Sequence, residues 1–204
     1  MGFGWVTLGY FFTALVSMTP LTLRSPLAIG LLVGYPMMIF GLYFLSAYQR
    51  YFRVAFFTSF LSIPLALYDA LGAIGQMGFS VPDIYGGTLR RIADWGQFLL
   101  LTLLTALVLF GISQLCRELG LIRHEGMALR NLLLLGLATL LDLVARLPLS
   151  FIVTHQGYFM TPALIMRLAI VILNLHLLFS CFRDICSQEE GMLESEKRRK
   201  EKKK

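Results

Sequence analysis

Apolar residues in this chain gather in six long runs, separated by short segments that hold most of the charge. The runs are about Phe3–Thr19, Pro26–Tyr48, Val54–Gly78, Ala93–Cys116, Leu129–Val153 and Pro162–Phe182. A helix needs roughly 20 mostly apolar residues to cross the hydrocarbon core of a bilayer. The pattern therefore predicts an all-α, polytopic integral membrane bundle of six transmembrane helices. Ser25-Pro26 and Thr161-Pro162 each place a capping hydroxyl before a proline, which marks a helix start.

Charge then orients the spans. Thirteen basic residues fall in one set of loops and the C-terminal run, against Arg24, Arg90 and Arg91 in the other set. That bias predicts both termini in the cytosol. It also assigns the net charge of +6 to membrane topology rather than to a nucleic-acid partner. Only 15% of residues are charged, against about 25% in soluble domains. Twelve of the thirty charged side chains lie in the last eighteen residues. The domain reading is a transmembrane unit over residues 1–186 and a charged, disordered cytosolic tail over 187–204. The expected location is the plasma membrane, with lipid as the first partner. The Lys200–Lys204 end also resembles a K-x-K-x-x retrieval signal, and its basic run could bind anionic lipid.

Three cysteines without regular spacing exclude a disulfide framework. Cys116, Cys181, Cys186 and His124 all fall towards the cytosolic side, but no C-x-x-C spacing supports a metal site. No metal or cofactor is expected. The start lacks the basic n-region of a removable signal peptide, and Val6 stands where a myristoylation motif has Ser or Thr.

Within the spans, small and polar residues carry the remaining information. Gly30, Gly34 and Gly41 form a smooth ridge on span two, read as internal helix packing. Span one is plain, and Pro36 is expected to kink span two. Thr58, Ser62, Asp69, Gly72, Ala73 and Gln76 share one face of span three, beside a break at Pro64. Span four has no coherent polar face and is expected to meet lipid. Span five gathers Asn131, Gly136, Thr139, Asp142, Arg146 and Ser150 in one arc, and Asp142 and Arg146 are four apart. Span six aligns Arg167 with Asn174, while His176 points the other way and is expected to bond to a neighbour.

Asp69, Asp142, Arg146 and Arg167 lie at comparable depth and sum to zero charge. An unpaired charge at mid-membrane costs about 2.5–3.5 kcal/mol on insertion scales. The prediction is a mutually paired cluster in the outer half of the bundle, with Asn174 beside it. One reading makes it a binding site for a small ionic solute, in a transporter or a membrane-embedded binding subunit. The other makes it a structural staple in a non-catalytic scaffold or assembly subunit, with other membrane subunits as partners.

Tyr68-Asp69 resembles the Tyr-Asp motif of intramembrane aspartyl proteases. The Gly-x-Gly-Asp motif that completes that family is missing, since Thr139-Leu140-Leu141 precedes Asp142, and the two aspartates are not on consecutive spans. No GxSxG, P-loop, HExxH or dinucleotide fingerprint occurs. Enzymatic activity is not expected.

Overall fold

The structure is a computed structural model and describes residues 2–18, 29–76, 88–145 and 156–201. It is all-helical over those residues. The six helices are α1 (Gly2–Met18), α2 (Ile29–Leu45), α3 (Arg50–Gln76), α4 (Thr88–Glu118), α5 (Ile122–Ala145) and α6 (Gln156–Glu201). Four are long and apolar enough to cross a membrane, over Arg50–Gly72, Ile92–Glu118, Ile122–Ala145 and Met160–Asp184. The described parts of α1 and α2 are apolar but shorter, at 17 residues each.

Each helix packs on the next in sequence, and α6 returns to pack on α1. The chain thus folds as a ring of antiparallel neighbours, the arrangement that short connections impose. The link between α4 and α5 shows how such a connection is made. Gly120 adopts φ 72°, the Leu121 amide donates to the Cys116 carbonyl at 2.8 Å, and the Gly120 amide donates to Arg117 at 3.2 Å. This is a Schellman stop, which closes α4 with a left-handed residue that glycine accepts without strain.

The α1–α2 seam is the closest approach. A Cβ on Gly9 would lie 2.5 Å from Met38 Cγ and 2.6 Å from the Gly34 carbonyl oxygen. One on Gly41 would lie 2.7 Å from both the Gly2 carbonyl oxygen and the Val6 nitrogen. Two glycines on each helix, seven apart, therefore let the backbones touch. Gly34 and Gly41, two of the three glycines of the ridge read from span two, pack against α1, whereas Gly2 and Gly9 show that α1 is not plain.

α4 corrects a second expectation. It is the most buried of the four spanning helices, with half of its apolar window inside the bundle. Leu104, Val108, Leu109, Ile112 and Cys116 all join the central core. Lipid tails are as apolar as leucine, so an apolar face does not reveal whether it meets lipid or protein.

Helix boundaries also shift. α6 begins at Gln156, six residues before the expected start, so Pro162 lies inside it. Its helix continues through the charged residues to Glu201. Glu, Lys and Arg bury nothing, yet they are good helix formers, and extending an existing helix needs no new nucleus. α2 and α3 run unbroken past Pro36 and Pro64. Ser25-Pro26 and most of the loop before α4 lie outside the described residues.

Candidate functional site

The α5–α6 seam holds the polar groups of interest. Ala128, Ala138 and Ala145 of α5 are buried, as are Ala163, Ile170 and Leu177 of α6. Small side chains let the two helices meet, and polar pairs bridge them at three levels.

At the first level, His124 Nε2 lies 3.2 Å from Asp184 Oδ2, near the ends of the spans. Arg183 Nε also approaches Asp184, at 3.1 Å to Oδ1. Roughly 10 Å along α5, at 1.5 Å per residue, Asn131 Nδ2 donates to Asn174 Oδ1 at 3.0 Å. Asn174 Nδ2 in turn donates to the Tyr10 hydroxyl of α1 at 2.9 Å. Both asparagines and the tyrosine are buried. Arg130 Nε and Nη2 reach Asn131 Oδ1 at 3.4 and 3.3 Å, and Thr105 of α4 lies beside the Tyr10 phenol. Another eleven residues along, roughly 16 Å, Arg167 Nε pairs with Asp142 Oδ2. The Arg167 guanidinium also sits 5.1 Å from the centroid of the Phe98 ring of α4.

The structure thus joins some of the predicted site residues and separates others. Asp142 and Arg167 form a direct ion pair. Asn174 belongs to the middle level, seven residues from Arg167, and bonds to Asn131 and Tyr10. Asp69 is on α3, which packs chiefly on α2 and α4, and it lies within electrostatic reach of the buried Tyr35 of α2. In the ring, α4 stands between α3 and α5. Arg146 and Ser150 lie outside the described residues.

The polar stripe of α3 is internally satisfied where it is described. Thr58 donates to the Val54 carbonyl at 2.9 Å and Ser62 to the Thr58 carbonyl at 3.1 Å. Such back-bonds to the preceding turn are how hydroxyls settle in an apolar helix. Tyr10 was missed by the sequence reading. The signal for it was present, since a tyrosine in the middle of an apolar run needs a partner for its hydroxyl.

His176 reverses an expectation. It faces outward on α6 and bonds to no other described residue. Cys116 and Cys181 are free, buried thiols. Among the described residues, no three His, Cys, Asp or Glu side chains are grouped to hold a metal ion.

No family model matches the chain, and no curated protein or solved structure matches it.

Proposed function

We propose that this chain is a membrane-embedded, non-catalytic assembly subunit, built from six spans with both termini in the cytosol. The observation that carries the reading is the polar ladder between α5 and α6. At each of its three levels, a polar side chain of one helix meets a complementary one on the other. Groups engaged with each other fix helix register and depth, which is the best-attested use of buried polar pairs. The bias of basic residues supports the orientation, and the plasma membrane is the expected location.

A second reading draws on one feature of the outermost pair. The Asp142 and Arg167 side chains keep 14% and 25% of their surface accessible. Ion pairs do not face hydrocarbon cheaply, so that access points to an aqueous crevice open to a small ionic solute. In this reading the chain is a transporter or a solute-binding subunit, with Asp69 and Arg146 as further polar contacts.

Neutralising the pair separates the two. Asp142→Asn and Arg167→Gln are made singly and together in the full chain, and folding and rescue of a deletion strain are both measured. The assembly reading expects each single change to destabilise, and the double change to recover both folding and rescue. A folded double variant that fails to rescue overturns it in favour of a solute site.

A further inference from the structure

Four intramembrane polar side chains of α5 and α6, namely Asn131, Asp142, Arg167 and Asn174, have a partner within the chain. His176 does not. It lies eight residues from Asp184, roughly 12 Å inside the span at 1.5 Å per residue. Its side of α6 is opposite the buried Asn174 and Cys181, and it shares that side with Ile165, Leu168, Ile172 and Phe179, each more than half exposed. An imidazole in hydrocarbon forfeits its hydrogen bonds, and its side chain is too short to reach the interface.

The residues around His176 have a spacing that suits a second helix. Ile165, Ile172 and Phe179 recur every seven residues, with Leu168 and His176 in between. That is the seam of two helices crossing at a shallow angle. Between Ile165 and Phe179 this face carries no acid and no other base, and Arg183, seven residues beyond His176, is already engaged with Asp184. A neutral imidazole has one donor and one acceptor, so it complements a copy of itself. Copies of one chain insert in the same sense, so their α6 helices would run parallel about a two-fold axis along the membrane normal.

We infer that the outward face of α6 is a homotypic interface, where a second copy of this chain packs α6 on α6 and the two His176 side chains bond to each other. The inference rests on the membrane setting proposed above and gives the assembly subunit its first partner.

The test is disulfide cross-linking of the full chain in isolated membranes, in a Cys186→Ser background. Ile172→Cys on this face is compared with Leu103→Cys on the outward face of α4. The expected result is a cross-linked dimer at position 172 and monomer at 103. His176→Leu lowers the dimer association constant about tenfold, in the range of one intramembrane hydrogen bond in model peptides. His176→Asn, which keeps a donor and an acceptor, retains most of the association. Equal cross-linking at both positions overturns the interface, as does an unchanged dimer in His176→Leu. A product at position 172 with the mass of a different protein overturns the second copy as occupant. Because the readout is dimerisation and not rescue, failure here leaves the pair-neutralisation result standing.

Discussion

The α1–α2 seam and the α5–α6 seam hold neighbouring helices together by opposite means. In the first, glycines strip away side chains until backbone meets backbone, and the attraction is dispersion between closely packed atoms. In the second, alanines keep the helices close while polar pairs bridge them at three levels. The glycine seam gains from proximity alone and is unforgiving of added volume. The polar seam tolerates volume better but punishes the loss of one partner, because the other is left unsatisfied in an apolar setting.

That contrast predicts the largest effect at Gly9. The atoms a Cβ would strike there include the backbone nitrogen of Met38 and the carbonyl oxygen of Gly34, at 2.6 Å each. Backbone cannot swing aside as a side chain can. Gly9→Leu should therefore cost beyond about 3 kcal/mol, the upper end of ordinary overpacking. Unfolding of the purified protein in mixed micelles would measure it. A loss under about 1 kcal/mol would mean that the helices do not approach so closely.

The charged level comes next and tests the other seam. Asp142→Asn alone takes the Asp142 carboxylate from the Arg167 guanidinium, at a cost of up to about 2.5–3.5 kcal/mol. Adding Arg167→Gln should recover most of that, since two neutral side chains of similar size replace the pair. Strict additivity of the two losses, in the same unfolding assay, would refute direct pairing.

Why one seam was easier to read than the other follows from what a bilayer does to sequence patterns. In water, burial sorts apolar from polar, and the period of the sorting reveals the buried face. In lipid both faces are apolar, so only small and polar residues report the inside. Gly34 and Gly41 reported it, and so did Asp142, Arg167 and Asn174. α4 buries Gln97, Thr105 and Ser113, but at about 100° per residue they spread over about 160° of arc among leucines and make no coherent polar face, so the span reads as lipid-facing although Leu104, Val108 and Ile112 sit in the core. Spacing along each helix says which residues share a face, but not which helices are neighbours around the ring. Asp69 lies within electrostatic reach of Tyr35 on the neighbouring α2, a nearness that spacing along α3 alone does not reveal.

The middle level should be softer than the charged one. Asn174→Leu removes the acceptor for Asn131 and the donor to Tyr10 in one change. Intramembrane hydrogen bonds measured in place average about 0.6 kcal/mol and reach about 1.7 kcal/mol. Two bonds lost together place Asn174→Leu at about 1–2 kcal/mol. Tyr10→Phe, which removes only the end of the chain of bonds, should cost about 0.6 kcal/mol. If Tyr10→Phe proved the more damaging of the two, the phenol rather than the amide would be the hub, with Thr105 as its main partner.

The smallest effect has the opposite sign and returns to glycine. Gly136 is on the outward side of α5, and a Cβ built on it meets nothing within 4 Å. It shares a residue type with Gly9 but none of its surroundings. A glycine inside a helix costs about 0.5–1 kcal/mol relative to alanine, through the freedom it retains in the unfolded chain. Gly136→Ala should therefore stabilise the protein by up to about that amount, while Gly9→Leu disrupts it. Both measurements use one unfolding assay on the same fold, so the difference isolates close approach from any general intolerance of glycine replacement. If Gly136→Ala instead destabilised the protein, something must pack against α5 at that point in the membrane. A second chain seated there would then move the homotypic contact from α6 to α5, and cross-linking at position 136 would have to exceed that at 172.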